Sequence, residues 1–150
     1  MWFDAPMDET ARDDDSTAAR RPVDLHGRVA LVTGASSGLG RRFAEVLAAH
    51  GAAVVATARR TERLTELAAE IESAGGRCLP VALDVTDAEQ FAPVVDAAEA
   101  AFGPVDILVN NAGVPDAQYA TKMSVELVDR VLDTNLRAPF LLSCEVARRL

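Results

Sequence analysis

Four short runs of this chain are apolar almost without interruption, and that limits the available folds more than any other feature. They are Arg28-Val29-Ala30-Leu31-Val32-Thr33, Ala53-Val54-Val55-Ala56-Thr57-Ala58, Cys78 to Leu83 and Val105 to Val109. A strand with one wet face alternates apolar and polar side chains, so such runs predict strands buried on both faces of a parallel sheet. The stretches between them carry helical spacing. Leu39, Phe43, Val46 and Leu47 recur up to Gly51, and Leu64, Leu67 and Ile71 recur up to Gly75-Gly76. Ala88 to Phe102 predicts a third helix, which Pro93 shortens or kinks. Ser124 to Leu150 predicts one long final helix, with Ser124 as its cap. Strand–helix alternation in this order predicts an open α/β sheet with right-handed crossovers.

Charge narrows the function classes. A formal net charge of −8 argues against nucleic acid, whose phosphates need a basic footprint, and against an anionic membrane surface. The acids are concentrated at the start. Asp4, Asp8, Glu9, Asp13, Asp14 and Asp15 face three arginines before Val23, with almost no apolar periodicity. Residues 1–22 therefore read as a disordered acidic leader, and 23–150 as one domain. The acidity excludes a secretory signal, and no later run is long enough to span a bilayer. Cys78 and Cys144 form no CxxC and have no clustered His, so no metal site or disulfide framework is indicated. Two unpaired thiols suit a cytoplasmic location.

The turn after the first strand reads Thr33-Gly34-Ala35-Ser36-Ser37-Gly38-Leu39-Gly40. A strand-to-helix turn aims unpaired backbone N–H groups and the positive end of the helix dipole at one spot. A pyrophosphate fits there if no side chain blocks it. Gly34 would make the turn, Gly38 would admit the phosphates and Gly40 would let helix and strand pack, with Ser36 and Ser37 adding hydroxyls. The spacing is G-x-x-x-G-x-G rather than G-x-G-x-x-G.

Together with Asp84-Val85, Asn110-Asn111-Ala112-Gly113 and Thr134-Asn135-Leu136, the segment Leu25 to Gly40 resembles the short-chain dehydrogenase/reductase family in order and spacing. The resemblance covers about Leu25 to Leu150 and implies a Rossmann-like, doubly wound parallel sheet that binds NAD(P). It implies that the carboxylate of Asp84 meets the adenine amino group, with Val85 beside the ring. Asp84 also reads as an N-terminal acid of the next helix. Asn110 would tie neighbouring strands together, and Asn111, Ala112 and Gly113 would run along the cofactor ribose. Those four residues also read as a polar turn. Asn135 would hold a water leading to the catalytic Lys, and it also reads as a capped break, since Asn is a mediocre helix former. Pro139 has no N–H, so the Asn135 carbonyl lacks its usual helical partner.

An NAD-preferring site normally carries an acid at the end of the second strand. Here that position is Ala58, followed by Arg59 and Arg60. Arg59 is expected to clamp a 2′-phosphate, which favours NADP(H) and leaves NAD(H) open, although either arginine also reads as a solvated charge at a helix start. The family's proton-transfer residues are a Ser and a Tyr with a Lys four positions on. The one Tyr here, Tyr119, has Lys122 three positions on and lies in the wrong element. The resemblance therefore implies the nucleotide-binding part of an oxidoreductase acting on a small alcohol or ketone, cut after four strands and the following helix. Such a piece is expected to be inactive alone, to expose Val105 to Val109 as an aggregation-prone edge, and to form a homo-oligomer at full length. The alternative is a non-catalytic dinucleotide-binding module.

Overall fold

The apolar runs do become strands, but only the two central ones are buried on both faces. The other two form the edges of the sheet and are partly exposed, against expectation, because an edge strand has a neighbour on one side only. The structure, a computed structural model, describes residues 23–115 and 118–150. The leader expected over residues 1–22 lies outside these. Strands β1 (Val29–Thr33), β2 (Ala53–Ala58), β3 (Arg77–Ala82) and β4 (Ile107–Val109) form one sheet in the order β3-β2-β1-β4. All three pairings are parallel. Every residue of β1 and β2 is buried. β3 lies at one edge, where Pro80, with no N–H to give, is tolerated. β4, at the other edge, is shorter than expected. Val105 is buried beneath the sheet instead, and the Asp106 carboxylate accepts from the Val29 N–H at 2.9 Å and from Arg28 at 2.8 Å.

Side-chain alternation sends each strand's residues into two cores. Val32, Val54 and Ala56 meet Leu64, Leu67 and Ile71 on the face covered by α1 (Gly38–Ala49) and α2 (Thr61–Ser73). Leu31 and Val55 meet Val94, Val95, Leu142 and Val146 on the face covered by α3 (Phe91–Phe102) and α5 (Ala138–Ala147). Each fully buried Leu or Val contributes about 1.5–3 kcal/mol. Gly51 ends α1 with φ 97°, and the N–H groups of Gly51 and Ala52 return to the carbonyls of Ala48 and Leu47 at 2.9 and 3.1 Å. The expected helix over Ala88 to Phe102 is shortened rather than kinked. A 3-10 turn occupies Ala88–Gln90, and Pro93 sits in the first turn of α3, where a missing N–H costs little.

The long final helix expected over Ser124 to Leu150 runs without a gap from Val125 to Ala147 but is not α-helical throughout. It divides into α4 (Val125–Leu132), a π turn over Asp133–Arg137, and α5. Pro139 cannot donate to the carbonyl of Asn135. The chain slips by one residue there, so that the Ala138 N–H reaches the carbonyl of Asp133.

The carboxyl ends of β1 and β4 are knotted by one hydroxyl. Thr33, 2% exposed, donates from Oγ1 to the Val109 carbonyl at 3.3 Å. The same oxygen accepts from the N–H groups of Asn111 and Ala112, both at 3.0 Å. Thr33→Val keeps the volume and strands two N–H groups. It is expected to lower stability by about 2–4 kcal/mol in urea unfolding, against under about 1 kcal/mol if water replaced the hydroxyl. Burial also pushes the Cys78 thiol up to about 11, whereas Cys144 is half-buried. Alkylation at pH 8 is expected to label Cys144 first, and equal rates would show that the sheet opens. The folded thiol releases its proton later than the unfolded one, so stability falls as the pH climbs from 9 towards 11.

Candidate functional site

Parallel strands bring all their carboxyl ends to one side, and the turns leaving them enclose a cleft of about 460 Å³. Each strand end supplies part of the wall. Gly34, Ser36 and Ser37 follow β1, Ala58 ends β2 and Arg59 and Arg60 follow it, and Leu83 to Thr86 follow β3. Asn111 to Val114 follow β4, and Thr134 of the π turn closes the far end. Nine of the residues singled out above line this cleft: Gly34, Ser36, Ser37, Arg59, Asp84, Val85, Asn111, Ala112 and Gly113.

The three glycines of the turn differ in what surrounds them. Gly34 has φ 69°, and a Cβ there would lie 2.9 Å from Ala112 Cα. A Cβ on Gly40 would strike the Asn111 amide and the Gly34 backbone. These two are glycines because protein presses on them. Gly38, with φ 58°, would project a Cβ into open space, with nothing within 4 Å. It is the first residue of α1, whose leading N–H groups have no partner within the helix. Leu39 contributes backbone only, since its side chain points to solvent.

Asn111 locks the turn from the β4 side. Its Nδ2 donates to the Thr33 carbonyl at 3.0 Å and to the Gly34 carbonyl at 3.5 Å. The tie between neighbouring strands expected of Asn110 is thus made by Asn111. Asn110 points away and donates to Ser143 Oγ of α5 at 3.1 Å, because successive residues leaving a strand face opposite sides.

Asp84 accepts from the N–H and hydroxyl of Thr86 at 3.0 and 2.8 Å. These bonds, helped by the charge of Arg59, hold its carboxyl below the usual carboxylate range, so it is an anion at neutral pH. Arg60 donates from Nη2 to Ser36 Oγ at 3.0 Å and to Ser37 Oγ at 2.9 Å. Ser37 stands at the N-cap of α1 and yet caps nothing. Asn135 lies outside the lining. Its side chain accepts from the Val114 N–H at 2.9 Å and donates to the Val114 carbonyl at 3.0 Å, holding the cleft's last wall residue. Tyr119, 79% exposed, and Lys122 stand outside the cleft lining.

Sequence reasoning gave Arg60 and Thr33 no role of their own. A buried hydroxyl at the end of an apolar strand was the available signal for Thr33. For Arg60 there was none beyond its neighbour.

A cleft of this build can hold an extended anionic ligand: the Ser36 and Ser37 hydroxyls in its wall, two guanidinium groups at one rim, and a carboxylate beside them, while Gly38, Leu39 and Gly40 lie outside its lining. Comparison with known proteins agrees. The family model for short chain dehydrogenases matches residues 28–150. The chain is 41% identical over 126 residues to the 3-oxoacyl-[acyl-carrier-protein] reductase FabG of Escherichia coli, covering 84% of this chain and 50% of that protein. It is 40% identical over 148 residues to an NADPH-dependent aldehyde reductase-like protein of Arabidopsis thaliana, covering 90% and 55%. A short chain dehydrogenase from Burkholderia cenocepacia, solved in complex with NADP, superposes with a TM-score of 0.77 at 39% identity, over 83% of this chain and 51% of that one. The chain spans about half the length of the curated relatives it matches. With a glycine turn, strand ends and sheet order that fit a family of nucleotide-dependent oxidoreductases, the chain belongs to the short-chain dehydrogenases/reductases.

Proposed function

We propose that the chain binds a nicotinamide dinucleotide, NADP(H) in preference to NAD(H), and is the cofactor-holding part of an oxidoreductase acting on an alcohol or ketone. The observation that carries this reading is the open volume at Gly38, in front of the first N–H groups of α1. A pyrophosphate needs that space, and among the described residues nothing lies within 4 Å of a Cβ placed there. When bound, the nicotinamide supplies or accepts the hydride.

The residues present hold and orient. The backbone of Gly38, Leu39 and Gly40 faces the phosphates, and the Ser36 and Ser37 hydroxyls flank them. Asp84 and Val85 take the adenine, while Asn111, Ala112 and Gly113 let a ribose approach closely. The absence of an acid at Ala58, with Arg59 and Arg60 beside it, supports the phosphorylated cofactor. The Asn135 carbonyl, to which Pro139 has no N–H to donate, is assigned to a water serving proton transfer. Tyr119 and Lys122 take no part. The two free thiols support a cytoplasmic location, and the full-length protein is proposed as a homo-oligomer.

Isothermal titration with NADPH and NADH tests the reading. NADPH is expected to bind at least about tenfold more tightly, as one charge-assisted contact gives. Equal affinities would remove the cofactor preference, and no binding of either would remove the dinucleotide itself. Gly38→Val is expected to abolish binding, because its branches fill the phosphate space. Its positive φ adds a stability loss of about 1–3 kcal/mol that leaves the sheet folded by circular dichroism. Normal binding by this variant would place the phosphates elsewhere.

A further inference from the structure

The last helical stretch keeps one row of side chains buried. Thr134, Ala138, Leu142 and Val146 recur every fourth residue and are its buried positions, whereas α4 before them buries none. Ala138, Leu142 and Val146 belong to the apolar core. Thr134, 6% exposed, continues the row to the point where the core stops and the cleft begins. A hydroxyl buried to that degree costs free energy unless something bonds it. Thr33, Ser36, Thr57 and Thr134 are the buried hydroxyl side chains among the described residues. Thr33 is bonded as above, Ser36 accepts from Arg60, and Thr57 donates to the Val32 carbonyl at 3.1 Å. Elsewhere on helices, Thr65 and Ser73 bond the carbonyl four residues back. The Thr134 hydroxyl has no such bond and no partner among the described residues. No fully enclosed side-chain oxygen or nitrogen there goes unpaired, so this one reaches the open space of the cleft whose end it lines. On its inner side, the hollow it shares with Val85, Ala112 and Ala138 is too tight for a water. A partner for this hydroxyl therefore comes from the cleft.

We propose that Thr134 is a binding residue for the dinucleotide, its hydroxyl donating to an acceptor atom of the adenosine, a ring nitrogen or a ribose oxygen. The inference rests on the dinucleotide reading above. Val85 and Ala112, which border Thr134, are the residues assigned there to the adenine and the ribose. Neither carries a charge, so this end of the wall suits a neutral acceptor rather than a phosphate. Both cofactors contain the adenosine, and the bond adds affinity without choosing between them. The contact is also prepared in advance. Asn135, the next residue, is fixed to Val114 by two hydrogen bonds, so Thr134 loses little freedom when a ligand arrives.

The test is isothermal titration of the full chain with NADPH, NADH and ADP-ribose, in the unaltered protein and in Thr134→Val and Thr134→Ser. Valine keeps the shape and removes only the hydroxyl. Thr134→Val is expected to weaken all three ligands by the same factor, about 3–10-fold, as the loss of one neutral hydrogen bond gives. Thr134→Ser keeps the hydroxyl and stays within about twofold of the unaltered protein. Urea unfolding without ligand supplies the control. Thr134→Val is expected to be no less stable than the unaltered protein, because no group of the protein loses a partner. A loss equally large in Thr134→Ser would overturn the assignment. So would a loss confined to NADPH and NADH with ADP-ribose unchanged, which moves the hydroxyl away from the adenosine. A lower unfolding midpoint in Thr134→Val overturns it too, by giving the hydroxyl to the protein itself. If the unaltered chain binds none of the three ligands, the dinucleotide reading fails and this one with it. If it binds them and Thr134→Val binds them equally well, only the present proposal fails.

Discussion

The whole cleft depends on one buried hydroxyl. Thr33 Oγ1 gathers the Asn111 N–H, the Ala112 N–H and the Val109 carbonyl around a single atom at the point where β1 stops. Those groups leave a strand too early to be paired by the sheet ladder, and burying them unpaired would cost more than the bonds themselves contribute. The hydroxyl satisfies them. In doing so it fixes the distance between the turn after β1 and the turn after β4. Gly34, Ser36 and Ser37 on one wall of the cleft and Asn111 to Val114 on another sit on those two turns.

The glycines follow from this joint. With the two turns drawn together, Asn111 lies against both Gly34 and Gly40, and no side chain fits between. Two glycines of the motif thus answer to packing and the third, Gly38, to the space beyond it. On the other flank, Ala35 donates to the Thr57 carbonyl at 3.0 Å and Arg60 reaches back to the serines. The turn is clamped from β2 as well as from β4, and its open face is directed at the cleft.

Much of this was legible in the residues. The unbroken apolar runs marked all four strands, though only β1 and β2 are buried on two faces, and the glycine spacing marked the turn at the end of the first strand. What escaped was contact between distant positions. Pro139 announced an unpaired carbonyl at Asn135, but the π turn that follows, and the grip of the Asn135 side chain on Val114, join residues 21 apart in sequence. Asn110 and Asn111 are indistinguishable as letters. Which of them turns inward depends on the pleat at the end of β4, and β4 itself began two residues later than its apolar run. Arg59 and Arg60 differ for a similar reason, since only the three-dimensional turn decides which one meets the serines.

The sheet order carries a thermodynamic consequence. The cleft takes wall residues from the ends of all four strands, drawn from Gly34 to Thr134 in the chain. No subset of the sheet presents the complete surface, and partial opening at either edge, β3 or β4, removes one side of it. A ligand spanning the cleft therefore binds the fully assembled state and no other, so its binding energy becomes folding energy for the sheet as a unit. At a hundred times its dissociation constant that linkage amounts to about 2.7 kcal/mol, a sizeable share of the stability of a domain this small. The edge strands, least buried and first to fray, gain most from it, because occupancy makes their separation from β1 and β2 as costly as global unfolding.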